Sequence, residues 1–280
     1  MKTPWFVTTL ALAILAATET TAQIPSLPSG AQTHWVVAQP EEIVIYLAFN
    51  PAGFTNILPK SLRFITIKEL STNGVSWATN YLTKHSAHGH WGVSFLEIVR
   101  MGTFTIDGRS PKWPKDGAAA LWFARVASSD SLVDLGPGNP FQVLEFWLPD
   151  HAYVEYMKHK GYYASYGKVE LSQKADGKWR GLIEAKGLSV IAECIPTGPI
   201  TGGVGSTGMQ VFFPPTSSGI QKLIRVAFAG HQIQKCRSDS FWRLRGTHPL
   251  TTGTLLPPSN FEFGYDLAGG TYAIDSVDIK

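Results

Sequence analysis

The sequence predicts an α+β protein that consists mostly of antiparallel strands with a few short helices. Short runs of β-branched and aromatic residues, such as Ile43 to Phe49, recur along the chain and are bounded by Pro or Gly. This pattern is typical of strands in an antiparallel sheet or barrel. Lys168 to Gln173 and Trp179 to Glu184 flank the turn Ala175-Asp176-Gly177 and predict a hairpin.

The other elements follow from the same signals. Pro51 to Leu58 and Asp150 to His159 are predicted to be short helices. Thr197 to Gly208 carries five glycines and no charge. It predicts a flexible connection or lid and not a phosphate loop, because no Lys-Ser/Thr follows its last glycine. Gly246 to Pro258 is predicted to be an irregular surface segment. Further strands are predicted at 64–67, 94–100, 102–106, 118–126, 189–195, 210–213 and 223–229.

The first 22 residues predict a cleavable signal peptide and therefore a secreted protein. Lys2 gives a basic start, Trp5 to Ala17 is apolar, and small residues precede residue 23. The apolar run is shorter than the roughly 20 residues of a membrane span, and Glu19 closes it. Residues 23–39 are rich in Pro, Ser and Gly and predict a flexible leader, which a single domain at 40–280 follows.

Composition limits the class of partner. The chain has 24 Lys and Arg against 21 Asp and Glu, a formal net charge of +3. Nucleic-acid binding needs a concentrated basic face, so no nucleic-acid partner is predicted. No segment after residue 22 approaches membrane length, so no membrane partner is predicted after cleavage. The remaining expectation is a small-molecule ligand.

Two cysteines, Cys194 and Cys236, form an even set. In an oxidising compartment they could form one disulfide, and the alternative is two buried free thiols. The sequence does not give the Cα separation that would decide between these alternatives.

Three histidines, His85, His88 and His90, lie within six positions. Imidazoles are common ligands of transition metals, but this spacing matches no zinc signature, and ordinary loop histidines are the alternative. The chain also lacks a Gly-x-Ser-x-Gly elbow, and no Gly-x-Gly-x-x-Gly in it follows a predicted strand and opens a predicted helix, as a dinucleotide site requires. We therefore predict no metal and no cofactor.

Glu97 is a carboxylate in the apolar strand Phe95-Leu96-Glu97-Ile98-Val99. Alternation puts it on the same side as Phe95 and Val99. If that side faces a cavity, desolvation raises the pKa of Glu97 and makes it a proton donor. The alternatives are a solvent-facing carboxylate or a structural pair with Arg100 or another base.

At this point the order of elements resembles the acetoacetate decarboxylase family, in which a short helix leads into a Gly-Tyr-Pro-Lys-Lys turn and then a hairpin. Upstream, Leu96-Glu97-Ile98-Val99-Arg100 resembles the strand that carries an acidic active-site residue, and Leu58-Pro59 resembles an early turn. The segments with the strongest resemblance are Asp150-His151-Ala152, Gly161-Tyr162-Tyr163-Ala164-Ser165, Lys168-Val169-Glu170-Leu171, Asp176-Gly177, and Gly181-Leu182-Ile183-Glu184 with Gly187.

The resemblance implies a cone-shaped β-barrel around a small-molecule cavity, commonly assembled into oligomers. The family forms a Schiff base on the first lysine of the Lys-Lys pair. In the ungapped register Ala164 and Ser165 replace both lysines, and Tyr163 replaces the proline. A rival register, with Tyr166-Gly167-Lys168-Val169 over Tyr-Pro-Lys-Lys, makes Lys168 the nucleophile.

Carried over by resemblance, the catalytic residues are Glu97 and Lys168, and the substrate-binding residues are Arg100, Tyr162, Tyr163 and Ser165. The implied function is that of a decarboxylase-like carbon–carbon lyase acting on a small keto acid or polyketide-like metabolite, in secondary metabolism. One alternative is a non-catalytic barrel that binds a small molecule. Another is a lysine-independent reaction that uses Glu97 with His88 or His90.

Overall fold

The computed structural model describes most of the chain after residue 31. The described ranges are 32–38, 41–59, 61–129, 139–201, 206–215, 221–229, 232–252, 254–255, 261–265 and 271–279. The predicted signal peptide and the first part of the predicted leader lie outside the described residues. None of the helices in these ranges is long and apolar enough to cross a membrane.

Strands dominate the described ranges. They are β1 (Gln32–Ala38), β2 (Glu41–Phe49), β3 (Leu62–Phe64), β4 (Gly92–Arg100), β5 (Thr103–Ile106), β6 (Ala119–Ser128), β7 (Asn139–Leu148), β8 (Ser165–Tyr166), β9 (Lys168–Gln173), β10 (Trp179–Ala185), β11 (Leu188–Cys194), β12 (Pro196–Thr201), β13 (Ser206–Phe212), β14 (Gln221–Ala229), β15 (Gln232–Cys236), β16 (Phe241–Gly246), β17 (Thr254–Leu255), β18 (Phe261–Tyr265) and β19 (Thr271–Ile279).

Helices are few and short. They are α1 (Ile67–Thr72), α2 (Ser76–Lys84), α3 (His151–His159) and α4 (Pro249–Thr252), with single 3-10 turns at Pro51–Gly53, Thr55–Ile57 and Ser86–His88. α1 begins at a capping box, in which Glu69 N donates to Thr66 Oγ1 (3.2 Å) and Thr66 N donates to Glu69 Oε2 (2.8 Å). α3 begins where Tyr153 N donates to Asp150 Oδ1.

The strands form two sheets. The larger has the order β12-β15-β18-β2-β4-β6-β7-β13-β14-β19-β1-β5, with β17, β3 and β8 beside β2, β6 and β7. Its pairs are antiparallel, except that β7 pairs in parallel with β13 and with β8. The smaller sheet is the antiparallel set β16-β11-β10-β9. The predicted class, mostly antiparallel strands with few helices, is confirmed.

The larger sheet curves strongly. β4 and β5 lie far apart in its strand order, yet Val99 of β4 and Phe104 of β5 belong to one buried cluster. Among the described strands, β5 and β12 remain the two ends of the order, so no closed ring is observed there. The inner face of the curve carries this cluster, called here the inner cluster. The outer face carries a second buried cluster, called here the outer cluster, which includes Ile43, Ile98 and Trp122.

The smaller sheet covers the outer face. Val169 and Leu171 of β9 pack into the same cluster as Ile98 and Trp122. At Gly181 a Cβ would come within 2.7 Å of Ile98 Cδ1, so the missing side chain lets β10 approach β4. A polar group in this interior has its partner, since Trp122 Nε1 donates to Ser94 Oγ over 3.0 Å.

Several local expectations differ from the structure. The predicted flexible leader extends to residue 39, but β1 already begins at Gln32, because Thr33 to Val37 is rich in residues that favour strands. The expected flexible segment at 197–208 contains β12 and the start of β13. The expected irregular segment at 246–258 contains α4 and β17. α1 and α2 were not predicted.

Candidate functional site

Glu97 lies on the inner face of the curved sheet. In β4 it alternates with Leu96 and Ile98, which point to the outer cluster. Its cross-strand neighbours are Val44 of β2 and Leu121 of β6. All three side chains keep partial solvent contact, whereas the strand residues next to Glu97 in sequence are fully buried. Glu97 therefore stands in an accessible, apolar strip of the inner wall.

A second carboxylate, Glu42, adjoins Glu97. Glu42 is opposite Val99, one diagonal step from Glu97 on the same face, and is 7% exposed. Burial raises the pKa of Glu97 well above its ordinary value, and the charge of Glu42 raises it further. In the described part of the chain, no lysine or arginine forms an ion pair with Glu97. This arrangement keeps the Glu97 carboxyl protonated to higher pH than an ordinary glutamate, so it suits a proton donor.

The raised pKa of Glu97 predicts how stability changes with pH. The folded state holds the Glu97 proton at pH values where the unfolded chain has released it, so the free energy of unfolding falls as pH rises above about 4.5 towards the folded pKa. In Glu97→Gln this fall is expected to become shallower. Denaturant unfolding between pH 4.5 and 8 measures it.

Glu184→Gln is the matched control for this experiment, because Glu184 is 53% exposed on the smaller sheet. It should leave the wild-type slope unchanged. Identical slopes in wild type and Glu97→Gln would mean that the pKa of Glu97 is not raised by folding.

An aromatic layer lies beside Glu97 on the inner face. Phe95, Phe123 and Phe141 pack together, with ring centroids 3.9 Å apart for Phe95 and Phe123 and 5.1 Å apart for Phe95 and Phe141. Val44 and Leu121 pack against this layer. The inner wall next to the carboxyl pair is therefore apolar, and it suits the hydrocarbon part of a ligand.

Arg125 lies on the side of the aromatic layer opposite Glu97. It pairs across strands with Phe141, and in β6 it lies two residues beyond Phe123 on the same face. Its Nε is buried without a hydrogen-bond partner. None of the carboxylates that the structure describes lies within ion-pair distance of its guanidinium. Burial lowers the pKa of Arg125, and the neighbouring Tyr46 phenol partly offsets this.

Lys168 does not meet Glu97. In β9 it alternates with Val169, which points to the outer cluster, and its side chain is 51% exposed. Its Nζ lies 3.6 Å from Glu170 Oε1 and 3.6 Å from Glu184 Oε2. Glu97 lies on the opposite face of the larger sheet. The rival register implies that the Glu97 carboxyl and the Lys168 amine act together, and the structure does not bring them together.

Arg100 also points away from Glu97. Its Nε donates to Glu41 Oε2 over 2.6 Å, and its guanidinium carbon lies 5.4 Å from the centre of the Trp179 ring. Trp179 belongs to β10, so Arg100 links the two sheets on the outer side. The structure therefore does not show the structural ion pair between Glu97 and Arg100 that the sequence analysis gave as an alternative.

The Gly161 to Ser165 turn divides its side chains between two regions. Tyr162 and Ala164 are buried in the inner cluster, at 4% and 1% exposure. Ala164 takes the place of the first family lysine in the ungapped register, so this position points inward but carries no amine. Lys222 of β14 is near Tyr162, with its Nζ 5.6 Å from the ring centre.

Tyr163 and Ser165 belong to a polar group around Glu145, although the Tyr163 ring also packs against the inner cluster. Tyr163 donates to Glu145 Oε2 over 3.0 Å, and the Ser165 hydroxyl contacts the Tyr163 phenol. His248 Nε2 lies 3.5 Å from Glu145 Oε1, and Leu250 N donates to His248 Nδ1. Thus the four substrate-binding residues carried over by resemblance do not converge on Glu97.

Two of the three histidines, His85 and His88, form an aromatic stack with Trp91. The His88 ring is 5.4 Å from His85 and 4.1 Å from Trp91. Burial, His85 and His90 lower the pKa of His88. In the described ranges, no three His, Cys, Asp or Glu side chains are grouped so that they could hold a metal ion. His88 and His90 lie before β4 begins, about 16 Å or more along the chain from Glu97.

Sequence reasoning found Glu97 and missed Glu42, Tyr46, Arg125 and Lys222. A usable signal existed for Arg125, because it is a lone charge in the apolar run from Ala118 to Val126. The same signal had selected Glu97. The proximity of Glu42 to Glu97 depends on strand register, which the sequence did not provide.

Two solved structures of MppR, an enduracididine biosynthesis enzyme, are similar to this chain. The structure with HEPES buffer bound has a TM-score of 0.50 at 9% identity, over 92% of this chain and 89% of that chain. The complex with pyruvate has a TM-score of 0.51 at 12% identity, over 94% of this chain and 98% of that chain.

A structure from structural studies of acetoacetate decarboxylase has a TM-score of 0.49 at 11% identity, over 95% of this chain and 97% of that chain. No protein-family model matches the sequence, and no curated protein matches it significantly. At these identities the structural likeness concerns the fold alone. At that level, the chain shares its overall fold with the two MppR structures.

Proposed function

We propose that this protein is a decarboxylase-like carbon–carbon lyase that acts on a keto acid at the inner face, with Glu97 as the proton donor. The observation that carries the proposal is the partly exposed Glu97 side chain in an apolar wall, where desolvation and the charge of Glu42 raise the pKa of its carboxyl. One of the similar MppR structures is a complex with pyruvate, which supports an oxo acid as the ligand class.

The proposed reaction needs no imine. A β-keto acid loses carbon dioxide when its bond to the carboxylate carbon breaks and the electron pair moves towards the ketone. Protonated Glu97 donates its proton to the ketone oxygen, so an enol forms in place of a free enolate. The enol becomes the methyl ketone as carbon takes up a proton and the hydroxyl proton returns to Glu97. The net reaction consumes one proton from water.

The apolar wall contributes to the same step. Val44, Leu121 and the aromatic layer would replace water around the leaving carboxylate, and the charge of a carboxylate is less stable in such surroundings. Lys168 has no part in this proposal, because its amine is on the other side of the sheet.

We propose that the protein acts in secondary metabolism. It acts outside the cytosol after cleavage of residues 1–22, and it assembles into homo-oligomers.

The cone-shaped barrel that the resemblance implies is also part of the proposal. The curvature that brings Val99 and Phe104 into one cluster supports an enclosed ligand site.

Acetoacetate tests the proposal directly. Carbon dioxide release should exceed the uncatalysed rate, and borohydride added during turnover should leave every lysine unmodified in peptide mass analysis. A reduced adduct on Lys168 or Lys222 would instead establish an amine mechanism. Ligand binding without carbon dioxide release, here and with longer 3-oxo acids, would favour the non-catalytic binding protein.

A further inference from the structure

Arg125 is a charged residue of the inner face that the proposed reaction does not use. The Arg125 side chain is partly exposed but its Nε is buried, and a buried donor of a charged group is costly unless a partner accompanies it. Its Nε has no hydrogen-bond partner, and within the described ranges no carboxylate pairs with it. Tyr46, the neighbour that acts on its pKa, is a phenol and is neutral at ordinary pH. Arg125 is therefore a site for an anion that the described protein does not itself supply.

Arg125 and Glu97 are too far apart to serve one small acid. Leu121 is directly opposite Glu97, and Arg125 lies four residues further along β6 on the same face. Four residues of strand correspond to about 13 Å between backbone positions. An acid longer than a four-carbon keto acid is therefore better suited to place its ketone at Glu97 and an anion at Arg125.

The wall between these two groups is apolar and aromatic. Phe123 lies midway on β6, with Phe95 and Phe141 against it. Phe141 is also the cross-strand partner of Arg125. A ligand that follows this wall meets a proton donor, then a hydrocarbon surface, then a cation.

We infer that the substrate is an elongated 3-oxo acid with a second, distal anionic group. Its oxo-acid end reaches Glu97, its hydrocarbon middle lies against the aromatic layer, and its distal anion binds Arg125. This inference rests on the proposed function for its reacting end. The carbon–carbon bond that breaks is the one described above, and the distal anion keeps its charge throughout. For a distal carboxylate, the product is a methyl ketone with a carboxylate at its far end.

Such products are stable and serve as binding probes. Levulinate, 6-oxoheptanoate and 8-oxononanoate form a series in which a growing chain separates the methyl ketone from the carboxylate. Calorimetric titration of the full mature protein should show affinity that increases along the series. It should also show that 8-oxononanoate binds about tenfold or more tightly than uncharged 2-nonanone, the fold-change expected for a hydrogen bond to a charged group.

The variant Arg125→Gln should remove the advantage of 8-oxononanoate over 2-nonanone and leave the binding of 2-nonanone unchanged. Arg125→Lys keeps the charge and should retain part of the advantage. Arg180→Gln is the matched control, because Arg180 is exposed on β10 of the smaller sheet, and it should bind every probe as the wild type does.

The inference is overturned if levulinate binds the wild type as tightly as 8-oxononanoate does, or if 2-nonanone does. It is also overturned if folded Arg125→Gln binds 8-oxononanoate with wild-type affinity. The wild-type comparisons decide the matter even if Arg125→Gln does not fold. If the binding experiment fails, the proposed decarboxylation of acetoacetate can still hold. If the carbon dioxide assay alone fails, the charge-dependent binding at Arg125 can still hold.

Discussion

Glu97→Gln is expected to reduce the turnover of acetoacetate by about 10²- to 10⁴-fold, the contribution that a positioned general acid makes to a reaction. Glutamine has nearly the shape of a protonated glutamic acid and can still donate a hydrogen bond, but it cannot transfer a proton. KM should therefore change little while kcat falls. Steady-state carbon dioxide release measures both constants.

The matched control for turnover is again Glu184→Gln, which removes an exposed carboxylate of the smaller sheet. Its kcat should equal that of the wild type. If Glu97→Gln retains full turnover while it is folded, Glu97 has no role in proton transfer.

The pH profile gives a readout that a purely structural role would not produce. Turnover requires protonated Glu97, so it should fall as pH rises through the pKa of that carboxyl. Because the charge of Glu42 helps to raise this pKa, Glu42→Gln should move the falling limb to lower pH. An unmoved limb would mean that the titrating group is not Glu97.

The sequence predicted the general class of fold because strand signals are local. The apolar runs along 94–100 and 118–126 correspond to β4 and β6, and the turn at Asp176-Gly177 joins β9 to β10. Glu97 was identified for the same reason, since a charge within an apolar strand is visible in the sequence itself. These features need no knowledge of which strands are neighbours.

The rest of the candidate site depends on register and curvature. Glu42 and Glu97 lie 55 positions apart in the chain, and only the pairing of β2 with β4 makes them neighbours. Likewise, the sequence could not show that Arg100 points to Trp179 on the outer side. A shift of one residue in strand register exchanges the two faces, so residues carried over by resemblance can point away from the site.

The covalent link between Cys194 and Cys236 offers a prediction about stability. The structure joins them by a disulfide with Cα atoms 5.2 Å apart and 42 positions of sequence between them. Cys194 ends β11 of the smaller sheet and Cys236 ends β15 of the larger one, so the bond connects the two sheets. Loss of a crosslink that closes a loop of this length is expected to cost about 4 kcal/mol of folding free energy.

The double variant Cys194→Ala/Cys236→Ala, compared with wild type by denaturant unfolding, measures this cost. Wild type treated with a reductant should lose similar stability, whereas the double variant should not respond to the reductant. Because such bonds persist in oxidising compartments, a chain without residues 1–22 that is made in a reducing cytosol should resemble the double variant until it is oxidised. If wild type and the double variant unfold at the same denaturant concentration under oxidising conditions, the disulfide does not stabilise this fold. The disulfide would then give no support to the proposed export, which would depend on residues 1–22 alone.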